Sequence, residues 1–232
     1  MTYTEPLNDF DLGGIHCELC NDKGYILRTD ENGIMWSREC SCMKRRRTER
    51  NIRKSGVSDM LQRYTFDSFI TDTPIRERIK EIAKKFAESD KGWLIVSGRS
   101  GSGKSHICVA TCGAMIERGE EMKYFSWRDD SVHLKALLNT PEYKEEIDKL
   151  IKVPLLYIDD FLKGTISDAD INLAFQILNG RYNDSKKRTI ISTELDMKEI
   201  FKRDEAVAGR IYERSRGFII SAPDENFRMR AC

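Results

Sequence analysis

The stretch GRSGSGKSH, residues 98–106, decides the fold class that we predict for this chain of 232 residues. It matches the phosphate-binding loop pattern, in which a glycine and four further residues precede Gly-Lys-Ser. The apolar run 92–98 predicts a buried strand leading into the loop, and 104–119 predicts a helix after it, which is the context that the pattern requires. We therefore expect a nucleotide to be bound by the following residues: Gly98, Arg99, Ser100, Gly101, Ser102, Gly103, Lys104, Ser105 and His106.

Three side chains have expected roles toward ATP or ADP with Mg²⁺. Lys104 is expected to contact the β and γ phosphates, and the Ser105 hydroxyl to ligate Mg²⁺. The stretch VPLLYIDDFLKG, residues 153–164, is an apolar run that ends in two aspartates. Because a second strand beside such a loop carries an aspartate that holds Mg²⁺, we assign this role to Asp159.

Asp160 stands where a carboxylate commonly orients and polarises the attacking water, although it has a second interpretation as the cap of a turn. A longer glutamate often occupies this position. An aspartate is one methylene shorter, and a misplacement of about 1 Å can cost roughly a hundredfold in rate. We therefore expect slow hydrolysis of ATP, which suits a switch better than a motor.

Helices and strands alternate after the N-terminal quarter of the chain. Further strands are predicted over 122–127, 153–159, 188–193 and 217–222, and further helices over 73–89 and 168–182. Thr73 is expected to cap its helix, with Pro74 at the first position. Short apolar strands alternating with helices predict an α/β fold with a parallel sheet covered on both faces.

Charge and hydropathy exclude several classes of protein. The net charge of +1 favours no particular partner, so any affinity for nucleic acid requires a local patch. The first fourteen residues include acidic residues and no apolar core, which is unlike a signal peptide. No apolar run approaches the length that spans a bilayer. We expect a cytoplasmic protein without membrane contact.

Two cysteine pairs in the N-terminal region predict a zinc site. Cys17 and Cys20 are separated by two residues, and Cys40 and Cys42 by one. Four thiolates satisfy tetrahedral Zn²⁺, and 24–36 between the pairs predicts a β-hairpin with the turn DENG. The alternative is free thiols in a small β unit, and His16 is a weaker substitute ligand. The remaining paired thiols, Cys108 and Cys112, are expected to be core residues.

The motifs occur in one order along nearly the whole chain. After the cysteine pairs come KRRRTERNIRK, RYTFDSF, the phosphate loop, LLYIDDFLKG, RTIISTEL, GRIYERSRGF and NFRMR. Together they resemble replicative helicase loaders of the DnaC/DnaI type, which have an IstB-like ATP-binding core, in the form found in Gram-positive bacteria and their phages. We divide the chain accordingly into a zinc-binding domain with a basic linker, 1–57, and an AAA+ ATPase domain, 58–232.

The resemblance implies an AAA+ ATPase with a five-stranded parallel sheet in the order 5-1-4-3-2. It implies that the N-terminal zinc domain contacts a hexameric replicative DNA helicase and that the AAA+ domain binds single-stranded DNA. It also implies a homo-oligomer that assembles with ATP, in which arginines act across subunits. Each of these is an expectation that the family supplies.

The motif GRIYERS implies that Arg214 is the arginine finger of the family, with Arg210 as the alternative. An arginine acting in trans stabilises the charge that develops on the γ phosphate. The sensor arginine near the end of the chain falls on Arg228, with Arg230 as its alternative. All four arginines also have an ordinary interpretation as partners of surface ion pairs.

One position departs from the family pattern. Many members have an asparagine after the fourth strand, where it senses the γ phosphate, whereas this chain has Ser192, Thr193 and Glu194. An ionised glutamate cannot donate a hydrogen bond, but a threonine hydroxyl can. We therefore assign the sensor role to Thr193.

Several alternatives stay open at this point. The basic run 44–54 has seven basic residues in eleven, which fits either a solvated helix face or linker, or a contact with DNA phosphates or an acidic helicase surface. The ATPase core also fits a transposition helper of the IstB kind, although the cysteine-rich N-terminus argues against it. A nucleotide-gated adaptor with negligible hydrolysis is the third possibility.

Overall fold

The computed structural model of the chain describes residues 16–29 and 33–229. Its strands are β1 (Tyr25–Thr29), β2 (Met35–Glu39), β3 (Trp93–Ser97), β4 (Met122–Ser126), β5 (Leu155–Asp159), β6 (Arg188–Thr193) and β7 (Ile219–Ser221). Its helices are α1 (Cys42–Ser55), α2 (Ser58–Arg63), α3 (Pro74–Glu88), α4 (Lys104–Glu117), α5 (Trp127–Ala136), α6 (Pro141–Lys152), α7 (Asp168–Tyr182), α8 (Met197–Arg203) and α9 (Glu205–Arg214), with a 3₁₀ turn at Phe227–Met229.

Five strands form one parallel sheet in the order β4-β5-β6-β3-β7. Counted along the chain within this sheet and read from β7, the order is 5-1-4-3-2, as the resemblance implied. In the registers, Ser97 lies beside Thr193, and Ile158 lies beside Ile191. The carboxyl ends of β3, β5 and β6 therefore meet at one edge, where the phosphate loop begins.

Two apolar layers cover the sheet. Leu94 and Val96 point into a layer with α3 and α4, whereas Trp93 and Ile95 point into a layer with α5 to α9. Successive side chains of a strand face opposite sides of the sheet, so a strand covered on both sides must be apolar throughout. This is the physical reason why the strand before the loop could be recognised from sequence.

The ends of two helices and the buried thiols agree with the predictions. The Thr73 side chain accepts a hydrogen bond from the backbone N–H of Arg76, with Pro74 at the start of α3. Helix α7 covers 168–182 as predicted and is preceded by a capping box. Cys108 and Cys112 are fully buried within the α4 layer, which confirms that they are core thiols.

Arg181 joins several elements from within the core. Its guanidinium is fully buried and donates to the Thr189 hydroxyl and to a ring of backbone carbonyls. The carbonyls belong to Leu150, Ile151, Val153, Pro154 and Arg188. These oxygens come from the end of α6 and the starts of β5 and β6, so one side chain satisfies the polar groups where these elements converge.

The predicted hairpin is present as the antiparallel pair β1 and β2, with Tyr25 opposite Glu39. Residues 30–32 of the predicted DENG turn lie outside the described residues. The basic run forms most of α1, which packs against α4 and β4 and whose Asn51 side chain donates to the Glu120 carbonyl at 2.9 Å. Because Arg46 within the run is buried, the run is not a uniformly solvated face.

None of the described helices combines the length and the apolar character that a bilayer crossing requires. The division of the chain at residue 57 stays a prediction.

Candidate nucleotide site and metal centre

The phosphate loop joins the end of β3 to the start of α4, as its pattern predicts. Gly101 and Gly103 have left-handed φ angles of 80° and 91°. A Cβ atom at Gly101 would lie 2.1 Å from the Asn226 side-chain oxygen, and the Gly101 carbonyl accepts from the Phe227 N–H at 3.0 Å. The left-handed φ angle favours glycine at residue 101, where the Asn226 side chain lies directly against the loop.

A cavity of about 510 Å³ opens at the loop. It is lined by six of the predicted nucleotide-binding residues and by residues from five other segments: Tyr64, Ser100, Gly101, Gly103, Lys104, Ser105, His106, Arg128, Asp160, Lys163, Glu194 and Phe227. A larger cleft of about 670 Å³ lies at the amino ends of β4 and β5, away from the loop. Chemistry and not size identifies the first cavity as the candidate site.

Lys104 is buried, and its ammonium group donates to the Arg99 carbonyl at 2.8 Å. Burial lowers the pKa of Lys104, while the nearby charges of Glu194 and Asp160 act in the opposite direction. The lysine is thus held inside the loop by a single carbonyl, beside acidic groups of the same cavity. This is the position from which it can reach bound phosphates.

Asp159 and Ser105, the predicted magnesium ligands, lie together. The Ser105 hydroxyl donates to Asp159 Oδ1 at 3.3 Å, and Tyr157 donates to the same oxygen at 2.7 Å. Tyr124 donates to Oδ2 at 3.1 Å, and Ser192 makes a short hydrogen bond to Oδ1. Four hydroxyl groups therefore orient this carboxylate toward the loop.

The two tyrosines around Asp159 remain hydrogen-bond donors. Burial raises the pKa of Tyr124, and the negative charge of Asp159 raises it further. Burial likewise raises the pKa of Tyr157 well above its usual value. An Asp–Ser oxygen pair held by neutral donors fits Mg²⁺, which prefers one or two carboxylates with hydroxyl, water and phosphate oxygens.

Asp160 has a separate environment from its neighbour. Its φ angle is +53°, and its backbone N–H donates to the Ser192 hydroxyl at 3.0 Å. Lys163 lies 3.1 Å from Asp160 Oδ2 and 3.0 Å from Glu194 Oε1. Burial opposes the charged form of Lys163, but the bonds to Glu194 and Asp160 outweigh it and raise the pKa of the lysine.

Thr193, the predicted sensor, is fully buried. Its hydroxyl donates to the Phe161 carbonyl at 2.9 Å and accepts from the Leu195 N–H at 3.1 Å. The side chain that enters the cavity from this segment is Glu194. The assignment of sensing to Thr193 stays a prediction, and its hydroxyl would have to leave the Phe161 carbonyl to fulfil it.

The predicted arginine finger lies far from the phosphate loop of its own chain. The Arg214 guanidinium is 5.8 Å from the ring centre of Trp93, the first residue of β3. The loop follows the other end of β3, and five strand residues at about 3.3 Å each separate the two ends. Arg214 is therefore placed where it cannot serve the phosphates bound by its own subunit.

The other arginines are placed as follows. Arg210 stacks 4.7 Å above the Phe175 ring and donates to the Asn179 side chain at 3.1 Å. The side chains of Arg228 and Arg230 lie outside the described residues. Arg216, which the sequence motif did not single out, is exposed in the turn between α9 and β7.

The four predicted zinc ligands converge. The sulfur atoms of Cys17, Cys20, Cys40 and Cys42 all lie within 4.8 Å of one another. Cys17 Sγ is 3.8 Å from Cys40 Sγ, and Cys20 Sγ is 3.7 Å from Cys42 Sγ. A tetrahedron with Zn–S bonds of about 2.3 Å has edges of about 3.8 Å, so these residues fit a zinc ion.

Asp22 supports the cysteine cluster from outside. Its Oδ1 accepts from the Cys17 N–H at 2.8 Å and from Arg46 at 2.9 Å. The Cys17 bond is the largest of the effects that lower the pKa of Asp22. His16 bonds to Asp22 Oδ2 at 2.7 Å and does not join the sulfur cluster, so the four cysteines are the better ligand set.

The model of the family described as IstB-like ATP binding protein matches residues 27–230. The chain belongs to this family. The protein YqaM of Bacillus subtilis strain 168, itself uncharacterised, is 29% identical over 80% of this chain, and the alignment covers only 63% of that relative. The replicative helicase loader DnaC of Escherichia coli strain K12 is 25% identical over 82% of this chain and 81% of its own.

The crystal structure of the DnaC helicase loader superposes with a TM-score of 0.63 at 22% identity. The superposition covers 70% of this chain and 98% of that one. At this identity the likeness shows the fold alone, which is a parallel sheet flanked by helices. The family match adds that the core binds ATP.

Several residues of the site were assigned no role from the sequence. They are Tyr64, Tyr124, Arg128, Tyr157, Lys163 and Ser192. Tyr157 carried a signal, since it lies two residues before Asp159 on one strand and thus on the same face. No sequence pattern linked Tyr124 or Ser192 to Asp159, because only the pairing of β4, β5 and β6 brings these residues together.

Proposed function

We propose that this protein is an ATP-dependent loader of a replicative DNA helicase, acting in the cytoplasm. Its N-terminal region, 1–57, grips the helicase, and its AAA+ domain, 58–232, binds nucleotide and single-stranded DNA. The observation that carries the proposal is the combination, in one chain, of the phosphate-loop cavity with the Ser105–Asp159 pair and a hairpin held by four cysteines. The match to a protein named as a helicase loader supports it.

In this proposal the chain is a slow ATPase. Lys104 would bind the β and γ phosphates, and Ser105 with Asp159 would hold Mg²⁺, which when bound would neutralise phosphate charge. Asp160 orients the attacking water. We expect Asp160→Asn to lower the rate of ATP hydrolysis while nucleotide affinity is kept. If the variant hydrolyses ATP as fast as the parent, Asp160 does not orient the water.

Arg214 completes the site of a neighbouring subunit in an ATP-dependent homo-oligomer. Its place beside Trp93, at the opposite end of β3 from the phosphate loop, supports action in trans. Arg210 is the alternative, and its stacking on Phe175 favours a structural role instead. Sensing of the γ phosphate by Thr193 and Arg228 remains part of the proposal.

The cysteine hairpin, which we define as residues 16–29 and 33–42, is the proposed helicase contact. It exposes an unusual number of large apolar side chains: Leu19, Leu27, Ile34, Met35 and Trp36. Leu27 and Met35 are 57% and 71% exposed and lie on one face of the hairpin. Exposed apolar patches of this kind mark protein–protein contacts, and bound Zn²⁺ would hold the patch in shape.

Binding to a purified hexameric helicase from the same genome tests the proposal. We expect a complex that is lost after zinc chelation and in the double variant Leu27→Ser, Met35→Ser. The matched control is Val132→Ser, because Val132 is similarly exposed, at 61%, but lies on α5. Absence of binding to every replicative helicase of that genome would overturn the helicase-loader proposal.

Two alternatives each have one supporting observation. The family description names IstB, which favours a transposition helper whose partner is a transposase. The ion pair between Asp160 and Lys163 favours a nucleotide-gated adaptor with negligible hydrolysis. Turnover measured with and without single-stranded DNA and the bound partner separates a working ATPase from an adaptor, and the identity of a captured partner separates helicase from transposase.

A further inference from the structure

Lys163 reaches the nucleotide cavity from a loop whose shape is unusual. Asp160 and Leu162 both have left-handed φ angles, 53° and 55°, although neither is a glycine. Phe161 and Leu162 are buried, and the Lys163 N–H donates to the Asp160 carbonyl at 3.0 Å. Such a backbone costs free energy and persists only when packing fixes it. The anchored turn directs the Lys163 side chain back toward Asp160.

Two acidic side chains line the cavity in which the negatively charged phosphates are proposed to bind. Asp160 and Glu194 both line it, and Lys163 lies between them at 3.1 and 3.0 Å. The Lys163 side chain is only 26% exposed. A partly buried lysine shared by two carboxylates cancels one of their two charges. Without it, the pair would repel an incoming phosphate group.

The position of Lys163 points to one phosphate in particular. Asp160 is the proposed water-orienting group, and the attacking water lies beyond the γ phosphate, opposite the leaving oxygen. A cation 3.1 Å from Asp160 therefore lies at the γ end of the nucleotide. Lys104, which starts α4, occupies the loop itself. The two lysines approach the phosphates from different elements.

We propose that Lys163 is a second phosphate-binding cation, which leaves Asp160 when ATP binds and contacts the γ phosphate. The exchange frees Asp160 to orient water only when a γ phosphate is present. ADP has no group at this end, so Lys163 stays with Asp160 and Glu194. The inference rests on the proposed nucleotide site but not on the helicase.

The ratio of ATP to ADP affinity tests this role. The probes are a non-hydrolysable ATP analogue and ADP, each with Mg²⁺, titrated into the full chain by calorimetry. We expect Lys163→Met to weaken the ATP analogue by about tenfold to a hundredfold, because a charge-assisted contact is lost. ADP affinity should change by less than about threefold, since the Lys163 contact is absent from that complex. Lys163→Arg should retain most of the ATP affinity.

Controls separate a phosphate contact from a structural effect. Lys202→Met removes an exposed lysine on α8 and should change neither affinity. Lys163→Gln keeps a polar side chain and replaces the methionine variant if that protein does not fold. The proposal would be contradicted if Lys163→Met lost affinity equally for the ATP analogue and ADP, or lost affinity for neither. If the parent chain binds neither nucleotide, the proposed site fails as well, whereas a negative helicase experiment leaves this inference intact.

Discussion

The cysteine hairpin and the central sheet use strands of the same length in opposite environments. Every residue of β3 is buried, whereas every residue of β2 is exposed. The hydrophobic cluster of the hairpin consists of Cys17, Cys20 and Cys40, with Ile26 and Cys42 packed against it. The sheet has apolar layers on both faces. One region can be stabilised by apolar burial, and the other requires a different source of free energy.

The difference shows how each region is built for its proposed task. Apolar burial contributes roughly 25 cal/mol per Å² and is available only to elements that can be covered. A hairpin that keeps its apolar side chains exposed for a partner cannot use them for its own stability. A metal bound by four thiolates, as we propose, would supply the missing free energy without covering the surface.

The largest expected effect is that of metal removal. Structural zinc contributes about 10–16 kcal/mol in small zinc modules. We expect chelation, or Cys20→Ser, to unfold β1 and β2 while β3 and β6 keep their protection from hydrogen exchange. Mass spectrometry of hydrogen exchange measures both regions at once. Cys112→Ala, which changes a core thiol, should leave the zinc content unchanged.

Slow hydrogen exchange of the hairpin amides after complete chelation would show that the hairpin does not depend on metal for its stability. The hairpin would then be stabilised by its contacts with α1 and not by metal.

Arg181→Met should produce the next largest effect, within the sheet domain alone. The substitution removes the donor of the buried Leu150 and Arg188 carbonyls and of the partly buried Val153 carbonyl. Unsatisfied buried groups cost about 1–3 kcal/mol each, so we expect a loss of at least about 3 kcal/mol. Urea unfolding followed by tryptophan fluorescence measures it.

Arg203→Met is the matched control, because Arg203 is exposed near the end of α8. Surface substitutions of this kind change stability by about 0.5 kcal/mol or less. A similar loss in both variants would mean that the Arg181 bonds are not what joins α6, β5 and β6.

Lys104→Ala should affect nucleotide affinity and leave the hairpin unchanged. The loss of a charge-assisted contact to the phosphates should weaken ATP binding by about tenfold to a hundredfold. Zinc content and hairpin protection should equal those of the parent. A change in either would show that the two regions are coupled, and Lys198→Ala on α8 serves as the control for a lost surface charge.

The smallest effect is expected within the hairpin region. Arg47 and Glu39 form an ion pair at 2.7 Å, but both side chains are about half exposed. Exposed pairs contribute at most about 1 kcal/mol, so Arg47→Ala should barely change the stability of the zinc-bound hairpin. Hydrogen exchange of β2 measures this directly. A large increase in exchange would mean that side-chain pairs, and not the metal, stabilise the hairpin.

Local patterns predicted much of the sheet domain. β6 spans the predicted residues 188–193, and α7 spans 168–182. These elements were readable because burial on two faces requires continuous apolar runs, and because an N-cap such as Thr73 acts within one turn. Helices α5, α6, α8 and α9 were not predicted, although their residues form much of one core layer.

The candidate site was predicted in part for a similar reason. The phosphate loop follows from spacing along the chain, and the Asp159–Ser105 pair follows from the place of Asp159 at the end of a second apolar strand. The role that we propose for Lys163 could not be predicted from the sequence. The direction of its side chain depends on the left-handed backbone at Asp160 and Leu162. The burial of Arg46 within a basic run could not be predicted either, because its partner Asp22 lies 24 residues earlier in the chain.

The sequence by itself determined the class of fold, the phosphate loop and the four cysteines, because each depends on residues whose spacing is short and whose chemistry is specific. Only the tertiary structure decided which hydroxyl groups hold Asp159, which lysine neutralises Asp160, and that Arg214 lies beside Trp93, at the opposite end of β3 from the phosphate loop. The Lys163 contact depends on the left-handed backbone at Asp160 and Leu162, whereas the hydroxyl contacts to Asp159 depend on the order of strands in the sheet. Strand order places distant residues side by side, and no local pattern records it.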